Sequence, residues 1–72
     1  MNNKRSYGII RMYDPLKGFG FLRNSTGKGK DIFFFYQDLD IDDKDICIGD
    51  VLSFNIEQAP RGPRAREIKK ES

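Results

Sequence analysis

The chain has 72 residues, 13 of them basic and 11 acidic, which allows one small domain with a net charge of +2. Hydrophobic residues make up 38% and charged residues 33%, a balance that fits a soluble globular fold and excludes compositional disorder. Histidine is absent and Cys47 is the single cysteine. That excludes a disulfide framework, removes the usual zinc ligands, and takes away the commonest general base.

Strand signals dominate the chain. Residues 7–13, Tyr-Gly-Ile-Ile-Arg-Met-Tyr, are rich in β-formers and stop at the turn signal Asp14-Pro15. Residues 18–23, Gly-Phe-Gly-Phe-Leu-Arg, predict a second strand. Residues 24–30, Asn-Ser-Thr-Gly-Lys-Gly-Lys, predict a hairpin loop. Residues 31–36, Asp-Ile-Phe-Phe-Phe-Tyr, predict a third strand. Residues 38–50 predict a long connection that opens on a short helical turn near Tyr36–Leu39. Val51–Ile56 alternates cleanly as a fourth strand, residues 59–63 form a second loop, and Ala65–Lys69 is a fifth strand before a fraying charged tail. Five short strands without helical periodicity or repeats predict an all-β fold, a small closed barrel over the whole chain. Alternation assigns Ile10, Leu22, Ile32, Phe34, Leu52, Phe54, Ile56 and Ile68 to its core. Cys47 is expected as a small apolar filler beside Ile46 and Ile48.

Charge is unevenly spread. Residues 38–50 hold six aspartates and one lysine, a net of −5, whereas the remainder holds twelve basic and five acidic residues, a net of +7. A one-sided basic surface suits a polyanion. The aspartates are expected as a solvated acidic loop, since their spacing does not match an EF-hand and no metal is implied. No run of 18 apolar residues exists and no apolar segment follows the basic N-terminus, so no membrane partner and a cytoplasmic location are expected.

Seven of the nine aromatic residues lie between positions 13 and 36. If Leu22, Ile32 and Phe34 point inward, alternation turns Phe19, Phe21, Phe33 and Phe35 outward on adjacent strands. Four fully exposed rings would forgo roughly 6–12 kcal/mol of burial, comparable with the stability of a whole domain. A contiguous apolar patch of that kind marks a binding surface. Arg11, Lys17, Arg23, Lys28, Lys30, Arg61 and Arg64 flank it. Rings among cations suit unpaired bases, which stack on aromatics at about 1–3 kcal/mol each while cations track the phosphates. Two other readings stay open on periodicity alone: the rings form the core, or they meet a second protein chain. An enzyme is the weakest reading, because no acid–base pair is evident.

Lys17-Gly18-Phe19-Gly20-Phe21-Leu22 resembles the first ribonucleoprotein motif of the bacterial cold-shock proteins. Asp31-Ile32-Phe33-Phe34-Phe35-Tyr36 resembles their second, usually Asp-Val-Phe-Val-His-Phe. Gly8 with Asp14, Gly49-Asp50-Val51-Leu52-Ser53-Phe54, and Arg61-Gly62-Pro63-Arg64-Ala65 resemble the family's opening strand, fourth strand and Gly-Pro-Gln-Ala loop. The resemblance covers residues 7–69. It implies a five-stranded antiparallel OB-type barrel that binds single-stranded RNA or DNA without a cofactor, as an RNA chaperone or antiterminator. By position it implies a binding surface of Lys17, Phe19, Phe21, Phe33, Phe35 and Tyr36, with Arg11, Arg61 and Gly62 as peripheral contacts. The expected state is a monomer, with a homodimer through the apolar face as the alternative.

The departures are specific. Met12 stands where the family has a stacking Trp, and alternation sets it inward beside Ile10 unless a bulge intervenes. Phe35 replaces a His and loses a donor. Asp42-Asp43-Lys44 stands where an aromatic is frequent, which should repel phosphate. Arg64 replaces Gln and adds a charge. These changes imply a weaker binder with an altered base preference.

Overall fold

A computed structural model describes residues 5–25 and 29–71. Five strands appear in chain order: β1 (Ser6–Asp14), β2 (Phe19–Asn24), β3 (Ile32–Phe35), β4 (Val51–Ala59) and β5 (Gly62–Lys70). They close into a barrel in the order β1-β2-β3-β5-β4. Closure removes free sheet edges. The barrel is not purely antiparallel as expected: β3 meets β5 in parallel at Phe33 and Arg64. The cause lies in the connection, because residues 36–50 cross from the end of β3 and deliver β4 to the β1 edge, leaving β5 to seal the gap.

The connection carries two single turns of 3-10 helix, Tyr36–Asp38 and Asp43–Asp45. Tyr36 therefore leaves the strand assigned to it. The loop expected over residues 59–63 shrinks to Pro60-Arg61, since β4 runs to Ala59 and β5 starts at Gly62. The middle of the loop between β2 and β3, including Lys28, lies outside the described residues, as do Met1–Lys4 and Ser72, where fraying was expected.

Ile10, Leu22, Ile32, Phe34, Leu52, Phe54, Ala65 and Ile68 form the buried core, with Tyr13, Leu39, Ile41 and Ile46 packed around it. Phe34 and Phe54 are its largest members. Two expected packing residues stand elsewhere. Ile56 is 38% exposed, because β1 covers β4 only from Val51 to Phe54 and the rest of β4 has β5 alone beside it. Cys47 is exposed rather than a filler, held by its backbone N–H donating to Asp50 Oδ2 at 3.0 Å.

Two bulges shape the barrel. In β1 the register passes from Ile10–Leu22 to Met12–Phe21, so Arg11 is the extra residue. One extra residue reverses the facing of everything after it. Ile10 points inward, Met12 outward, and Tyr13 inward to stack on Phe34 with centroids 5.8 Å apart. In β5 the register slips between Lys69 and Arg66, and Glu67 takes a left-handed φ of 52° there. Its carboxylate accepts from Asn55 Nδ2 at 2.6 Å.

Gly20 faces inward opposite Tyr13. A Cβ there would stand 2.4 Å from the Met12 carbonyl oxygen and 2.7 Å from the Phe34 ring. The close approach requires glycine. Gly20→Ala is expected to lower stability by about 1–3 kcal/mol through overpacking, measured by urea unfolding. An unchanged midpoint would show that both the Phe34 ring and the Met12 backbone are free to move aside.

Candidate nucleic-acid interface

β2 and β3 pair with Phe19 opposite Phe35 and Phe21 opposite Phe33. The residues between them, Gly20, Leu22, Ile32 and Phe34, are buried, so the four remaining rings stand on the outer surface. They pack on one another. Phe33 lies 5.9 Å from Phe19 in a stacked arrangement, 5.5 Å from Phe21 and 4.6 Å from Phe35 in edge-on arrangements. Phe19 and Phe21 meet edge-on at 6.2 Å. Aromatic pairs of this geometry contribute about 0.5–1.5 kcal/mol beyond area burial. The platform therefore costs less than four isolated rings would. Phe19, Phe21 and Phe33 are half-buried, and Phe35 is 38% exposed.

Two further side chains extend the platform. The β1 bulge sets Met12 directly across from Phe21 on the outer face. Tyr36, 61% exposed, lies against Gly18, whose φ of +74° fits the left-handed turn out of β1. The Tyr36 N–H donates to the Gly18 carbonyl at 2.8 Å, which ties the end of β3 to the start of β2. Asp14 builds the turn itself, its Oδ1 accepting from the N–H groups of Leu16 and Lys17.

Between Phe21, Phe33, Phe35 and the β4–β5 tip at Pro60–Arg64 runs an open, mostly apolar groove of about 560 Å³. Gly62 at that tip has a φ of +126°. The cations differ in how free they are. Lys17, Arg23, Lys30 and Arg61 are exposed and form no ion pair among the described residues. Arg11 stands 3.9 Å from Asp31, an exposed pair worth little. Arg64 is bound: its Nε and Nη2 each donate to Asp38 at 2.9 Å, and its guanidinium carbon lies 4.7 Å over the Phe35 ring. The hydrogen bond to Asp38 pushes the Arg64 pKa up.

Sequence reading singled out Arg64 but not Asp38, which is 4% exposed and holds three elements together. It accepts from Arg64 and from the Phe35 N–H, each at 2.9 Å, and forms an ion pair with Arg66 Nε at 2.8 Å. Arg66 also pairs with Glu57 at 3.0 Å. The signal in the sequence was a carboxylate closing a four-aromatic run, lost among the five other aspartates of its segment. The side chains of four of those five aspartates have partners elsewhere. Asp42 caps a 3-10 turn through the Lys44 N–H, Asp40 faces Lys69 at 3.8 Å, and Asp50 faces Lys70 at 3.4 Å. No group of metal-ligating side chains assembles among the described residues. Nor is any described helix long and apolar enough to cross a membrane.

Asp43 accepts the Tyr13 hydroxyl proton at 3.0 Å, and Asp42-Asp43-Lys44 thereby turns toward the barrel end rather than over the rings. Burial, then the bond to Asp43, pushes the Tyr13 pKa up to about 12.

The family model described as the "'Cold-shock' DNA-binding domain" matches residues 1–71. The chain belongs to the cold-shock domain family, whose members bind nucleic acids. It is 38% identical over 65 residues to the Retron Se72 cold shock-like protein of Salmonella heidelberg, covering 88% of this chain and 94% of that one. It is 35% identical over 69 residues to the cold shock-like protein CspI of Escherichia coli K12, covering 94% and 96%. Among solved structures, Drosophila Unr CSD456 superposes with a TM-score of 0.79 at 28% identity. That match takes in 96% of this chain, which spans only 27% of the longer Drosophila chain.

A Tyr13 pKa raised above the ordinary value near 10 makes its protonated form a contributor to stability. The contribution is whole below pH 10 and is lost as pH rises toward about 12. Wild type should therefore lose stability across that window more steeply than Tyr13→Phe, followed by urea unfolding at stepped pH. Identical pH profiles would show that the hydroxyl titrates normally.

Proposed function

We propose that this domain binds single-stranded RNA or DNA by stacking unpaired bases on the outward rings while nearby cations contact the phosphates. The observation that carries the reading is the contiguous outer platform of Phe19, Phe21, Phe33 and Phe35, opening into a groove beside the β4–β5 tip. Every nucleobase has a π-face, so such a platform accepts bases without reading their edges. Duplex bases are already stacked on one another and have no face to offer. Met12 and Tyr36 extend the stacking surface at its two ends. Lys17, Arg61 and Arg11 supply phosphate contacts, Gly62 lets the tip approach the strand, and Arg64 walls the groove. Held open on such a surface, an RNA strand cannot re-form its own helices. That is the chemistry of an RNA chaperone or antiterminator acting on gene expression.

Two measurements test the reading. Affinity for heptathymidine or hexauridine should fall with salt at a log–log slope of roughly −0.7 per phosphate neutralised. Phe19→Ala, Phe21→Ala and Phe33→Ala should each weaken binding by about 1–3 kcal/mol. The same variants should keep cooperative unfolding, because none of these rings belongs to the core. Wild-type affinity in all three variants would end the stacking model. Light scattering that showed a dimer indifferent to oligonucleotide would favour a protein partner on the same face.

A further inference from the structure

Arg64 differs from the other cations of the groove in having a fixed direction. Two of its nitrogens, Nε and Nη2, donate to the buried Asp38 carboxylate, and the Phe35 ring lies under its plane. Its side chain is only 22% exposed, yet it lines the groove. The charge is also balanced in place. Asp38 and Glu57 face Arg64 and Arg66, two carboxylates against two guanidiniums. A locally neutral cluster attracts phosphate weakly. What remains available is directional. The side fork of the guanidinium belongs to Asp38, but Nη1 meets no acceptor among the described residues. Nη1 and the second N–H of Nη2 make an end fork of two parallel donors.

Resting on the proposed binding of single strands, we infer that Arg64, held by Asp38 and Phe35, is a base-specificity residue reading two adjacent acceptors on one base edge. Guanine offers such a pair in O6 and N7. Cytosine offers N3 and O2 on an edge that is open only when unpaired. Adenine, thymine and uracil alternate donor and acceptor along their edges and cannot satisfy both N–H groups. A base stacked on the Phe21 and Phe33 rings lies in the same groove as this fork, so stacking and edge reading apply to one base. The preorganisation matters: a free arginine would lose side-chain entropy on forming the same bonds, whereas this one is already ordered.

The test is a substitution scan of heptathymidine, with one guanine, cytosine or adenine placed at each position in turn, read by intrinsic tyrosine fluorescence. Wild type should show one position at which guanine or cytosine, but not adenine, tightens binding by about fivefold or more over thymine. In Arg64→Met that ratio should fall to within about twofold, and the salt slope for heptathymidine should stay close to that of wild type. Should Arg64→Met fold poorly by leaving Asp38 with one arginine, the double variant Asp38→Asn, Arg64→Met removes both partners and should show the same loss. Binding of every strand with no guanine or cytosine preference in wild type overturns the inference and leaves the binding function standing. A salt slope shallower in Arg64→Met by the full amount of roughly 0.7 overturns it too, by making Arg64 a phosphate contact. If no strand binds at all, both readings fall together.

Discussion

The burial of Phe34 governs the rest of the molecule. Its ring is fully enclosed, stacked on one side by Tyr13, and it occupies the space that a side chain at position 20 would need. Once Phe34 points inward, the two-residue period of β3 sends Phe33 and Phe35 outward. Once Gly20 is the residue that makes room, the same period in β2 sends Phe19 and Phe21 outward. Packing at one point in the core thus decides which rings face solvent. The Arg11 bulge completes the arrangement from β1, bringing Tyr13 in to cover Phe34 and turning Met12 out beside Phe21. Core and surface are two sides of one alternation.

The second organising centre is Asp38. A buried carboxylate is destabilising unless its charge is paired and its oxygens are hydrogen-bonded. Here Arg64, Arg66 and the Phe35 N–H meet both needs. The position is also where the parallel closure occurs: Phe33 pairs with Arg64, and one turn later Leu39 bridges to Ile68. Parallel contacts between short strands are slight in extent, and this one amounts to a single ladder pair. The ion cluster reinforces the weakest seam of the barrel while setting the wall of the groove.

Much of this was legible in the sequence where one rule acted alone. Seven of the eight core residues named from alternation are buried, because β2, β3 and the start of β4 each keep one period and Ile10 precedes the β1 bulge. The need for a bulge at Met12 followed from the same rule applied in reverse: an outward thioether and an inward Ile10 cannot coexist in a regular strand. Ile56 escaped because alternation says which way a residue points and nothing about whether a neighbouring strand covers it. Cys47 escaped for a related reason, since local hydrophobic company does not establish burial in a loop. Asp38 and Arg64 stand 26 residues apart, and no local pattern joins them. The parallel seam depended on the route of residues 36–50, which propensity does not determine.

The cations therefore divide into two kinds with different physical effects. Lys17, Arg23 and Arg61 are exposed, form no ion pair among the described residues and sit on flexible stems, so they attract any polyanion and lose that attraction as salt rises. Arg64 has its charge opposed at 2.9 Å and its plane set on an aromatic ring, so little of its effect is long-range. Charges of the first kind favour encounter with every strand alike. A donor of the second kind acts only at contact, and only on an edge whose acceptors match its spacing. A domain that coated strands indifferently would gain more from an Arg64 left free in solvent than from one neutralised by a buried aspartate. The bound arrangement exchanges long-range attraction for a fixed direction, and it also ties the end of β3 to β5 through Asp38.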